Sequence, residues 1–291
     1  MWALLGQDND VTAPYRTTRY DQFSVDTIVL QRTDLAQVVP EVDDLFGVSQ
    51  VARVSLRLSK LTSSEMSNEY LSVRVWDLPT RVFHWVLALS VVASIVTAKV
   101  GGAAMVWHFR LGYLALGLLL FRIVWGLVGG RWSRFASFLH GPGRVWAYLR
   151  GQRDPQGRDE VGHSPLGALS VWALLGLLLA QVASGLFADD EIANVGPLNR
   201  FVSGSTAQLL TGWHKEVGES VLIALLLLHV AAVLFYRWVR RKDLLTPMIT
   251  GDKPLPADTP ASADGWPQRS GALVLALLAA MAVYAVVRLG G

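Results

Sequence analysis

HKEVGESVLIALLLLHVAAVLFYRW (214–238) decides the fold. From Ser220 to Tyr236 it carries no Asp, Glu, Lys or Arg. About 20 such predominantly apolar residues cross the roughly 30 Å hydrocarbon core of a bilayer as a helix. Two histidines interrupt it, His214 opening the run and His229 in its second half. At about 1.5 Å rise per residue they lie roughly 22 Å apart along a helix axis, and at about 3.6 residues per turn they differ by about 60° around it. Both therefore face one broad side. An ionisable side chain at membrane depth is expensive, which makes each a functional candidate.

Four further runs surround this one: 82–100 (VFHWVLALSVVASIVTAKV), 107–129, 167–187 and GALVLALLAAMAVYAVV at 271–287. The last follows a linker rich in Pro, Asp and Gly at 251–270. Of the 291 residues, 52% are hydrophobic and 17% charged, against about one-quarter charged in an ordinary soluble domain. The fold expected is an all-α membrane protein. A four-helix transmembrane bundle occupies 66–250 and an extra C-terminal transmembrane helix, read as an appendage, occupies 271–288.

Residues 1–65 are polar and lack a helical period, with one alternating stretch, VARVSLRL (51–58), that suits a lone hairpin strand. A single hairpin is marginal in water. Met66 opens MSNEYLSVRVWDLPTRVFHW, a natural beginning for the membrane unit. The first 65 residues therefore read as a disordered extension or the product of an upstream start, with a small cytoplasmic cap as the alternative. The opening MWALL is too short for a signal peptide and runs into Asp8 and Asp10.

Basic residues in short loops orient the spans. Arg131, Arg134, Arg144, Arg150, Arg153 and Arg158 lie between the second and third runs, and Arg237, Arg240, Arg241 and Lys242 follow the fourth. The loop after the third run holds Asp189, Asp190 and Glu191, with only Arg200 and Lys215 as basic residues. The expected placement is a multi-pass protein of the bacterial cytoplasmic (inner) membrane with a cytoplasmic N-terminus. Trp85, Trp125 and Trp238 suit an inner aromatic belt, and Trp107 and Trp213 an outer one. A formal net charge of +3 gives no case for nucleic acid.

His84 lies near the cytoplasmic start of the first run and His108 at the outer start of the second. Depth then dictates pairing: His214 with His108 near the outer face, His229 with His84 towards the cytoplasm. One mismatch remains, since His84 is three residues from Arg81 while His229 is eight before Arg237. A tilted first helix or a fourth helix reaching past the bilayer absorbs it. The chain has no cysteine, which excludes disulfides, thiolate iron–sulfur clusters, thiolate haem ligation and covalent c-type haem. Two non-covalent bis-histidine haems stacked across the membrane are the simplest object that uses all four imidazoles. The bland reading of His108 or His214 alone is an interfacial side chain, but it does not explain two depth-matched pairs. His140 and His163, in the basic loop, read as solvated, with an approach of His163 to the inner haem as the alternative.

Haem propionates are anionic. Arg110 and Lys215 are candidates to meet them at the outer haem, and Arg81 or Arg144 at the inner. Positive-inside anchoring explains any single loop arginine as well. Arg122, deep in the second run, is costly unless it snorkels or finds a partner. Gly112, Gly117, Gly176, Gly185 and Gly218 suit close approach of a helix or a porphyrin face.

VRVWDLPTRVFHW (73–85), HFRLGYLALGLLLFRIVWGLVG (108–129), GHSPLGALSVWALL (162–175), LLTGWHKEVGE (209–219), LLLLHVAAVLFY (225–236) and DLLTPMITGDK (243–253) together resemble the bacterial cytochrome b561 and nickel–iron hydrogenase b-type cytochrome family. The resemblance covers about 73–253, leaving out 1–65 and the fifth run. It implies a four-helix bundle holding two b haems through His84, His108, His214 and His229. It also implies electron transfer linking a hydrogenase, another dehydrogenase or a c-type cytochrome to quinone. Lys215, where the family often has an acidic residue, departs from the pattern. The competing readings are a self-contained quinol-linked oxidoreductase acting on a small oxidant such as superoxide, and a histidine-lined metal transporter. The last is disfavoured because the histidines split between two depths.

Overall fold

The computed structural model describes residues 70–152, 154 and 161–290. The expectations for 1–65 and for the alternating stretch 51–58 lie outside them. Five described helices are long and apolar enough to cross a membrane: α1 (Leu78–Val100), α2 (Met105–Val128), α4 (Pro165–Phe187), α5 (Gly204–Trp238) and α7 (Trp266–Arg288). A short helix α3 (Pro142–Leu149) lies between α2 and α4, and α6 (Leu245–Thr250) follows α5.

The helix starts have local causes. Asp77 precedes Leu78 and Pro79, and its carboxylate accepts from Thr80 N at 2.8 Å. Ser164 caps α4 ahead of Pro165, and Ser203 caps α5 by accepting from Thr206 N at 3.2 Å. A capping oxygen satisfies an N–H that has no partner within the helix, and proline at the first position gives up a donor that would be orphaned anyway. Between α1 and α2 the chain reverses at Gly101 and Gly102, with φ of 68° and 53°, a left-handed conformation that suits glycine.

The fourth span differs from its expected bounds. It begins at Gly204 rather than 214 and runs 35 residues, about 50 Å at the helical rise. That is longer than the hydrocarbon core, and the added turns lie at the His214 end of the helix. Nor does His214 open the helix. It sits inside a π-helical segment, Trp213–Gly218, between two α-helical stretches. The 60° offset taken from 3.6 residues per turn therefore does not describe the helix, because i→i+5 bonding changes the phase.

The linker is not featureless. β2 (Asp252–Pro256) pairs antiparallel with β1 (Tyr70–Arg74), in the register Tyr70↔Pro256 to Arg74↔Asp252. Beyond it, Ser262 N donates to Arg74 O at 2.7 Å and Ser262 Oγ to Val75 O at 2.7 Å. Trp132 Nε1 donates to Pro260 O at 2.8 Å. Asp264 accepts from Leu78 N at 3.1 Å and pairs with Arg74 at 2.8 Å and Arg269 at 3.2 Å. Burial raises the Asp264 carboxyl, but Arg269, the Leu78 N–H and Arg74 outweigh it and hold the group below the usual carboxylate range. These contacts deliver α7 to the bundle. α7 packs along α2, with Ala272, Ala279 and Val283 buried, so it is an integral helix rather than an appendage.

The main core joins Phe83, Leu87 and Val91 of α1 to Leu119, Phe121 and Trp125 of α2, Leu178 of α4, Leu222 of α5 and Ala279 of α7. Trp125 is 3% exposed and donates to Asp77 at 3.0 Å. It therefore belongs to the interior and not to an aromatic belt. Many of the remaining large apolar side chains face outward, as a lipid-facing surface requires.

Candidate functional site

Helices α1 and α2 form an antiparallel hairpin, so His84 and His108, each in the early turns of its helix, lie at opposite ends of it. α5 runs past both. His108 and His214 approach to 5.9 Å between ring centroids with their planes at 86°. His84 and His229 approach to 6.5 Å with planes at 53°. Of the four histidines singled out in the sequence, the structure sets His108 opposite His214 and His84 opposite His229. Backbone contact of α5 with α1 and α2 is sparse compared with the α1–α2 contact, and the imidazoles reach across the space between.

These separations can be tested against a shared metal. Imidazole nitrogen–metal bonds run about 2.0–2.1 Å. Two such bonds on opposite sides of one ion, with each ring centre about 1.1 Å behind its nitrogen, place the centroids about 6.3 Å apart. Both pairs fit within half an ångström. Among the described residues no three His, Cys, Asp or Glu side chains cluster as an ion site, and each couple offers two imidazole donors facing each other.

The His108 and His214 pair is oriented by its surroundings. His108 Nδ1 lies 2.9 Å from Ser94 O, and His214 Nδ1 lies 2.8 Å from Gln181 O. A carbonyl oxygen only accepts, so both Nδ1 atoms carry the proton and both Nε2 atoms keep a lone pair free to ligate. Gln181 also donates through Nε2 to His214 O at 2.7 Å, inside the π-helical segment. Gly185 and Gly218 make this possible. A Cβ on Gly185 would stand 2.8 Å from His214 Cε1, and one on Gly218 would collide with Gln181 Oε1. By contrast a Cβ on Gly112 or Gly176 meets nothing within 4 Å, and Gly117 packs against Val283 of α7 at 3.5 Å.

At the other pair, His84 Nδ1 is enclosed and has no hydrogen-bond partner among the described residues. His163 is close to this end and is not a solvated loop side chain. Its ring packs against Trp76 and Phe138, at 4.7 and 4.5 Å, and its Nδ1 is enclosed. Burial, then the Arg122 charge, pushes it down to about 3, so it is neutral near pH 7. His140 Nε2 is 3.5 Å from His163 O. Arg122 is 4% exposed and does not snorkel to water. Of the other candidates for propionates, Arg81 donates to Ile249 O at 2.5 Å, Arg110 lies over the Trp107 ring at 4.9 Å, Lys215 is exposed and Arg144 half-buried.

Asp77 is a residue that the sequence reading passed over. It is fully buried and accepts from Thr80 N, from Trp125 Nε1 and, at 2.5 Å, from Ser133 Oγ. Its signal was present: an Asp directly before Leu-Pro marks a helix start. An apolar cleft of about 530 Å³ between α1, α2 and α7 is lined by none of the four histidines.

Five apolar helices with facing imidazoles at two levels define a polytopic membrane protein of the b-type cytochrome class, in which nitrogen ligands hold haem without covalent attachment. The chain belongs to the prokaryotic cytochrome b561 family, whose model matches residues 75–251. Among curated proteins, a probable Ni/Fe-hydrogenase B-type cytochrome subunit of Azotobacter vinelandii is 27% identical over 235 residues, 67% of this chain and 94% of its own length. That of Rhodobacter capsulatus is 23% identical over 248 residues, 72% of this chain and 91% of its own. The probable Ni/Fe-hydrogenase 1 B-type cytochrome subunit of Escherichia coli K12 is 22% identical over 221 residues, 64% and 93%. No solved structure matches. The family implies haem b and electron transfer, and its matched region ends before α7.

Proposed function

We propose that the chain is a di-haem b-type cytochrome of the bacterial cytoplasmic membrane that carries electrons between the quinone pool and a redox partner. His84 and His229 hold one haem, and His108 and His214 the other. The observation that carries the reading is the pair of imidazole couples at ligating separation at two levels along α5. When bound, haem supplies one-electron exchange at its iron. The chain's own part is to present two neutral imidazoles from opposite sides, to fix their tautomer through Ser94 O and Gln181 O, and to exclude water with the apolar faces of α1, α2, α4 and α5. Arg-rich segments after α2 and α5 support a cytoplasmic placement of the His84 end. The names of the curated relatives support a nickel–iron hydrogenase as the partner, ahead of a c-type cytochrome or another dehydrogenase.

The test is direct. The full chain purified in detergent is expected to show a b-type reduced-minus-oxidised spectrum and two haems per chain by pyridine haemochrome. One haem would break the paired assignment, and none would remove the reading.

A further inference from the structure

The guanidinium of Arg122 is buried on α2 with less compensation than its charge demands. Nη2 donates to Ser133 O at 3.0 Å, while Nη1 is enclosed and has no hydrogen-bond partner among the described residues. The Phe135 ring lies 4.7 Å from its carbon and the Phe83 ring 5.9 Å. Asp77, the acid that acts on it electrostatically, is already engaged by Thr80, Trp125 and Ser133. No carboxylate among the described residues stands at ion-pair distance from Arg122. A buried cation with an unmade charged hydrogen bond is costly.

A second group at the same end shares the condition. His163, held by Trp76 and Phe138, has its Nδ1 enclosed and unpartnered, and it feels the charge of Arg122. A guanidinium and a neutral imidazole N–H are both donors, and the ligand that satisfies both is a carboxylate. Phe83, beside Arg122, is the chain neighbour of His84. A carboxylate on a macrocycle held by His84 and His229 is the candidate of the right charge at the right place.

We infer that Arg122 and His163 receive a propionate carboxylate of the haem held by His84 and His229, so that this end of the bundle recognises its cofactor by the carboxylate as well as by iron. The inference rests on the di-haem reading above. It sets Arg122 ahead of Arg81, whose Nε is also enclosed and unpartnered but whose guanidinium donates to Ile249 O and lies 3.9 Å from the Asp264 carboxylate.

The test uses the full chain stripped of haem and carrying His108→Ala or His214→Ala, so that one site is titrated. It compares haem b with its dimethyl ester, in which both carboxylates are blocked. With Arg122 present, haem b is expected to bind roughly ten- to a hundredfold more tightly than the ester, the range for hydrogen bonds to a charged group. Arg122→Gln abolishes that preference while leaving ester affinity in place. Equal affinities for haem and ester with Arg122 present, or an undiminished preference in Arg122→Gln, overturns the inference. If Arg122→Gln does not assemble, as judged by circular dichroism, His163→Gln and Arg122→Lys decide: reduced preference supports the inference and unchanged preference overturns it. Two haems per unmodified chain without ester discrimination sinks only this inference, whereas fewer than two sinks the di-haem reading itself.

Discussion

His108 and His214 face each other at 5.9 Å between ring centres, and each gives its Nδ1 proton to a main-chain carbonyl, Ser94 O and Gln181 O respectively. The two carbonyls belong to different helices, α1 and α4. Four helices thus converge on one couple, and the tautomer of each ring is set by backbone that no side-chain substitution removes.

Substituting either member of a couple is expected to remove that haem alone. His108→Ala and His214→Ala lower the pyridine haemochrome ratio from two to one and delete the same spectral component. His84→Ala and His229→Ala delete the other. Loss of one common component in all four variants would refute the two-site arrangement.

Gly185→Ala and Gly112→Ala separate a steric requirement from simple helix propensity. The added methyl at 185 stands 2.8 Å from His214 Cε1, whereas at 112 it meets nothing within 4 Å. Overpacking costs typically about 1–3 kcal/mol, here directed at a ligand ring. Gly185→Ala is expected to shift or lose the absorbance of the haem at His214, while Gly112→Ala keeps it. Identical spectra for the two variants would show that Gly185 is dispensable.

Asp77→Ala leaves Thr80 N and Trp125 Nε1 without their acceptor, leaves Ser133 Oγ without its own, and removes the negative charge nearest Arg122. Breaking a buried charged network by deleting one member costs about 3–5 kcal/mol. The midpoint of thermal or SDS unfolding is expected to fall accordingly. A loss below about 1 kcal/mol, the range of ordinary exposed polar contacts, would contradict the network.

Asp264 ties the start of α7 to Arg74, Leu78 and Arg269. Its carboxyl is held below its usual value, so the stabilisation is present above about pH 4, the unfolded carboxylate value, and fades as pH falls through the folded one. Because the chain contains no cysteine, a single Val283→Cys reports α7 docking by its rate of labelling with a pyridyl disulfide, which still reacts with thiols in acid, taken relative to an exposed control cysteine at the same pH. Labelling is expected to speed up below about pH 4, and Asp264→Asn speeds it at neutral pH. The solvent exposure of Arg74 and Arg269 limits the effect to roughly 1 kcal/mol. A labelling rate that ignores both changes would show that the tether is not what docks the helix.

The amino-acid sequence determined the number of spans, the end of the bundle at which each histidine lies and the order in which they pair. Those follow from one-dimensional quantities: the apolar length that crosses a bilayer, the cost of an imidazole within it, and the rise per residue. Tertiary structure alone decided the π-helical segment around His214, because the Gln181 amide that donates to its carbonyl comes from another helix. It also decided that Trp125 and Arg122 point inward to Asp77 and Ser133, that His163 lies enclosed between aromatic rings, and that α7 joins the core through Ser262 and Asp264. In each of these cases the partner that fixes the side chain is distant along the chain, and neither spacing nor hydropathy carries the direction in which a side chain turns.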